Sequence, residues 1–244
     1  YSLAAVFARV GRKGGYSDAE VPTSEILFLK DHGEVTHPRS GEVMKPRPLG
    51  GPDFQLTKYD DPRRALAKWM TRKDNPFFAR TMVNRMWGHF LQRGIIHPID
   101  DSRSTNPPTN PELLDWLTAQ FIESGFDVRH IVKTITKSRT YQLSVKTNKW
   151  NEDDTTNYSH AKARRLPAEV LLDSIYRVTG TPIKFPGVPE GTRAAQLPDV
   201  GVKLADGFLG NLGRPARESA CECERSTDLQ LGSIMSLVSG PTVD

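Results

Sequence analysis

DNPFFARTMVNRMWGHFLQRGIIHPIDD, residues 74–101, carries the strongest helix signals of the chain and its densest mixture of aromatic and polar side chains. Asn75 is a capping residue, Pro76 suits the first helical position, and Gly94 suits the left-handed turn that ends a helix. Between them Phe77, Phe78, Met82, Val83, Met86, Trp87, Phe90 and Leu91 cover most of the circumference. That pattern predicts a helix packed on several sides, the axis of the fold. Arg80, Asn84, Arg85 and His89 lie among these apolar residues. Those that become buried need partners, so the four are candidates for a binding strip and equally for structural pairing.

Outward from this helix, two more starts repeat the same cap-then-proline signature. Asp61-Pro62 opens RRALAKWMTRK, and Asn110-Pro111 opens ELLDWLTAQFIESG. Leu113, Leu114, Leu117 and Phe121 give the latter one apolar face, with Gly125 ending it. Val128–Lys137 continues as a further helix through Ile131, Val132 and Ile135, so the two should form a helical hairpin. Pro167–Gly180 is another helix, and a last one is expected from Ser226 through Val238 to Gly240. Residues 146–163 read as a polar surface loop, and 181–214 as a long Pro- and Gly-rich excursion.

Toward the N-terminus, Leu3, Ala4, Phe7 and Val10 have helical spacing, so residues 1–11 are expected to be the tail of a helix, which Gly11, Gly14 and Gly15 then break. Ser24–Leu29 is a strand signal; a turn at Asp31-His32-Gly33 leads to a second, EVTHP, and Arg39-Ser40-Gly41 leads to a third at Glu42–Lys45. Pro38 weakens the middle one. The fold class that results is mainly α: an irregular multi-helix domain with a small N-terminal β meander and long Pro/Gly-rich loops. The Pro- and Gly-rich run 46–52 is a stiff linker. It sets residues 1–55, the end of a preceding domain plus hairpin and linker, apart from a helical domain at 56–244.

The composition is that of a globular chain, with 37% hydrophobic and 25% charged residues. A net charge of +4 from 33 basic and 29 acidic residues is too balanced to indicate nucleic acid, and no nucleic-acid partner is expected. No run of about 18 apolar residues is present, so no transmembrane segment is expected. The opening inside an apparent helix, without a start methionine, suggests a fragment of a longer protein.

Three sets of residues carry possible chemistry. Glu169 and Asp173 are four apart, as are Arg165 and Glu169, so one helix face would present an arginine and two carboxylates. Paired carboxylates can act as general acid and base in glycoside hydrolysis. Structurally they would instead neutralise Arg80 or Arg85, the preferred reading because charges on packed helices are more often structural. Asp100 and Asp101, beside His97, are of the hard-metal or base type; the alternative is that they cap or turn the chain and help neutralise the arginines. Cys221 and Cys223 in ESACECERS are spaced to chelate a soft metal with help from Glu218, Glu222 or Glu224, but a structural zinc needs four ligands. A strained disulfide or plain thiols rank above a metal there. No CxxCH motif occurs, so no cofactor is expected in this chain.

Taken in order, NPFFARTMVNRMWGHFLQRGI, NPPTNPELLDWLTAQFIESGFDVRHIVKTITKSRTYQLS, RRLPAEVLLDSIYRVTG and GRPARESACECERS resemble successive blocks of the planctomycete domain of unknown function 1553. VTHPRSGEVMKPRPLGG, before them, resembles the connector from domain of unknown function 1549. The resemblance implies an exported, multidomain parent protein, periplasmic or extracellular, whose other domains are this chain's partners and often include a cytochrome-c-like domain holding haem c. It implies no reaction. The expected role is a non-catalytic structural or interaction module, associated with a redox protein; the alternatives are a carboxylate-dependent extracellular hydrolase acting on carbohydrate, and a metal or redox site at the cysteine pair.

Overall fold

In the computed structural model residues 1–14, 25–181, 184–197, 202, 204, 206–216 and 231–240 are described. Eight helices lie among them: α1 (Ser2–Ala5), α2 (Pro62–Met70), α3 (Phe78–Leu91), α4 (Pro111–Glu123), α5 (Val128–Thr136), α6 (Ala168–Thr179), α7 (Phe208–Asn211) and α8 (Leu231–Ser239). Two strands, β1 (Val10–Gly14) and β2 (Glu25–Leu29), form one antiparallel pair. The chain divides into two compact units, the first ending at Lys162 and the second running on from Ala163.

The cap signatures locate the helices of the first unit. The Asp61 carboxylate accepts from the Arg63 amide at 3.0 Å, and the Asn110 side-chain Oδ1 from the Leu113 amide at 3.0 Å. Asn75 accepts from the amides of both Phe77 and Phe78 at 2.9 Å, while its own amide donates to the Trp69 carbonyl at 3.2 Å. One buried side chain thus opens α3 and ties it to the end of α2. Helices α3, α4 and α5 pack together as the spacing predicts. Val83 and Trp87 of α3, Leu114, Leu117 and Phe121 of α4, and Ile131 and Ile135 of α5 form one core with Ile95 and Ile96. Each such side chain contributes about 1.5–3 kcal/mol relative to exposure.

The end of α3 differs from expectation. Gln92, not Gly94, takes the left-handed conformation, with φ 66°. Gly94 is required for another reason: a Cβ there would lie 2.3 Å from the Ile96 carbonyl oxygen and 3.0 Å from the Asn84 side chain. The glycine lets the chain fold back against its own helix.

The N-terminal sheet is also paired differently. Only Ser2–Ala5 of the first eleven residues is α-helical, and Val10–Gly14 is a strand that pairs with β2 in the register Val10↔Leu29, Arg12↔Leu27. Gly11, read from sequence as a helix breaker, lies in β1 directly under the Phe28 ring, where any Cβ would come within 2.5 Å. The meander expected from EVTHP reduces to a single bridge, Thr36↔Val43, around the turn at residues 39–41. Pro38 lacks the amide a longer ladder would use. Arg9 donates to the carbonyls of Lys58 and Asp60 at 3.2 Å, fixing this segment to the start of the helical region.

In the second unit α6 buries Ala168 and Leu172 against Phe185, Ala194, Val202, Phe208, Leu209 and Leu212. Most of that core comes from the stretch the sequence marks as an irregular excursion. Gly180 ends α6 at φ 71°. Helix α8 joins α7 through polar atoms: Ser233 Oγ donates to the Asn211 carbonyl at 2.5 Å, and the Asn211 amide to Ser236 Oγ at 3.0 Å. The expected start of this last helix at Ser226 lies outside the described residues.

Candidate functional site

Asn84 is the innermost of the four polar residues on α3, 1% exposed. Its Nδ2 donates to the carbonyls of Ile96 at 3.0 Å and Ile99 at 2.9 Å, and its Oδ1 accepts from the Ile96 amide at 2.8 Å. Both ends of the amide are therefore used, and the returning segment 94–99 is latched to the helix. Arg80 and Arg85 reach the edges of the bundle. Arg80 pairs with Asp115 of α4, and Arg85 Nε lies 2.7 Å from Asp100 Oδ1. His89 is exposed, with its ring edge-on to Phe90 at 5.2 Å.

The neighbouring Asp101 is bound in a fork by Arg103 at 2.6 and 2.7 Å. That guanidinium holds the Asp101 carboxyl below its usual range. Burial, then the nearby charges of Arg93 and Lys162, lower the pKa of His97. Asp100 and Asp101 are thus each paired with an arginine, and no group of three metal-binding side chains converges among the described residues.

On α6 the expected face is only half realised. The helix begins at Ala168, so Arg165 lies outside it and does not share its face with Glu169. Glu169 and Asp173 do lie on one face of α6. Glu169 lies 4.0 Å from Arg214, both side chains largely buried, and Arg214 Nη1 also donates to the Val202 carbonyl at 2.9 Å. Asp173 accepts from the amides of Ala194 at 2.7 Å and Ala195 at 3.2 Å, capping a short 3-10 turn at Ala194–Gln196. Within the first unit Arg80 has Asp115 and Arg85 has Asp100 as a partner. Cys221 and Cys223 lie outside the described residues.

Sequence reading passed over the loop that closes the other side of α3. Asp154 accepts from the amides of Thr156, Asn157 and Ser159 at 2.7–3.0 Å, which drives its pKa far down and builds a tight turn. The turn presents Tyr158, whose hydroxyl lies 2.9 Å from the Gly94 carbonyl and 3.1 Å from that of Arg93. Its ring stands edge-on to Trp87 at 5.4 Å, and burial raises its pKa. An aspartate followed by polar turn residues and one aromatic was the available signal.

Fold and site together define a mainly helical domain in which Asn84 and Asp173 are bonded to the chain's own backbone and Asp100, Asp101 and Glu169 face its own arginines. Residues 62–230 match the model of a family described as PSD1, protein of unknown function (DUF1553). The chain belongs to this family. The stretch resembling the 1549 connector lies before the matched residues. No curated protein and no solved structure matches the chain. No helix among the described residues is long and apolar enough to cross a membrane.

Proposed function

We propose that this chain is a non-catalytic structural or interaction module of an exported, multidomain protein, periplasmic or extracellular, whose partners are the other domains of the same polypeptide. Any haem c of a redox-associated parent would be carried by those domains. The observation that carries the reading is the engagement of all four candidate carboxylates: Asp100 with Arg85, Asp101 with Arg103, Glu169 with Arg214, and Asp173 with the amides of a helical turn. A general acid and base need a pair held open to substrate with separated pKa values, and these four are each used in folding. The test is to replace Asp100, Asp101, Glu169 and Asp173 singly by Ala and to assay each against polysaccharide and ester substrates. No turnover above buffer by the parent chain is expected. A turnover that disappears in a variant with unchanged circular dichroism would overturn the reading.

A further inference from the structure

The balanced charge of the whole chain conceals one strongly one-sided segment. Residues 128–151 contain six Lys or Arg and no Asp or Glu. Arg129, Lys133 and Lys137 recur every four residues along α5 and its C-cap, opposite the buried Ile131 and Ile135. Successive steps of four rotate by about 40°, so the three share one face about 80° wide. Arg139, Lys146 and Lys149 continue the charge beyond the helix. All six are exposed, and none is drawn into an ion pair with a described residue.

The flanking acids offset this little. Asp127 caps the Arg129 amide, and Asp154 is taken up by its own turn. Glu152 and Asp153 are exposed at the far end of the segment.

The same segment carries apolar side chains in the open. Val145 is 57% exposed and Trp150 81%, with Tyr141 and Leu143 exposed beside them. They are displayed on held backbone rather than a loose tether. The Gln142 side-chain Nε2 donates to the carbonyls of Lys137 at 2.9 Å and Ser138 at 3.2 Å, and the Ala161 backbone amide to the Ser144 carbonyl at 3.0 Å. Lys149 Nζ lies 4.7 Å over the Trp150 ring, an ammonium and an indole presented together.

We propose that this segment docks on a membrane surface bearing anionic lipid, its exposed cations toward the headgroups and the apolar side chains of residues 141–150 entering the interface. A soluble polyanion would account for the cations alone. Leu143, Val145 and Trp150 distinguish the two cases, because an interfacial site gains from burying aliphatic and indole groups beside basic residues. This is peripheral attachment, and it holds whether or not the chain is catalytic.

Co-sedimentation with vesicles of phosphatidylglycerol and phosphatidylcholine tests the proposal. Binding is expected to the mixed vesicles, to weaken as salt rises, and to be absent with phosphatidylcholine alone. Near such a surface each cation is worth about fivefold in affinity. The double substitution Lys133→Glu, Lys137→Glu should therefore weaken binding by more than about 25-fold, while its exposed sites leave the melting temperature near that of the parent. Trp150→Ala keeps every charge and should weaken binding several-fold and remove the blue shift of tryptophan emission on mixed vesicles. Equal binding to both vesicle types, no binding to either, or full binding by the Lys133 and Lys137 variant would overturn the proposal. So would an unchanged affinity and blue shift in Trp150→Ala, or capture of the chain by a soluble sulfated polysaccharide with no vesicle binding.

Discussion

The two units solve the same problem, a polar group inside a small core, by different chemistry. In the first unit the innermost polar side chain is a neutral amide, Asn84, that completes three hydrogen bonds to backbone. In the second a charged pair, Glu169 with Arg214, is largely buried at 4.0 Å. An amide that matches the local backbone needs no counter-charge and fixes where one segment returns. An ion pair held this far from water loses hydration on both sides and regains it only with good geometry. The first arrangement is therefore the more stabilising, and the second ties α6 to the segment following α7 at smaller net gain.

That difference can be broken most forcefully at Asn84. Asn84→Ala strands the Ile96 amide and two carbonyls and opens a cavity, so denaturant unfolding should show a loss of about 3 kcal/mol. A loss below about 1 kcal/mol would mean the latch is not what orders the bundle. In the second unit Asp173→Ala removes the cap of the turn at Ala194–Gln196, and a loss of about 1 kcal/mol is expected. Tyr158→Phe deletes only the hydroxyl that reaches the Arg93 and Gly94 carbonyls; urea titration should register about 1 kcal/mol or slightly less. At the partly exposed edge, Asp100→Ala should cost no more than about 1 kcal/mol, and less in high salt, because its pair with Arg85 is screened by solvent.

Acid adds a further contrast. Asp154 has a folded-state pKa well below its ordinary value, so its stabilisation is present above the unfolded carboxylate range and is lost as pH falls through the folded pKa. Asp154→Asn should therefore flatten the acid side of the stability profile below about pH 4. An acid limb unchanged by the substitution would show that the turn at residues 154–159 opens before the carboxylate titrates.

What could be read in the sequence follows the same division. The first unit's helices declare themselves through Asp61, Asn75 and Asn110 and through regular apolar spacing, since these are local signals that tertiary packing here reinforces. Partner choice was less accessible. Arg80 and Arg85 advertise a need for carboxylates, but four or more acids satisfy that need on paper. Only the packing of α3 on α4 selects Asp115, and only the return of the chain past Gly94 selects Asp100. The second unit's core was the least legible. Phe185, Val202, Phe208 and Leu212 sit in a stretch with no helical or strand period, so burial there is set by tertiary fit alone. Gly11 shows the converse error, a residue whose usual meaning as a breaker hid its place beneath Phe28.

The most direct test of whether the polar strip of α3 is an interior latch rather than the wall of an open site is hydrogen exchange at the Ile96 amide. This N–H donates to Asn84 Oδ1 at 2.8 Å in a residue 4% exposed. Bound in that way, it should exchange as slowly as the core amides of α3 and α4, through global unfolding. Exchange at the rate of the exposed loops would place Asn84 at a solvent-open surface and contradict the account.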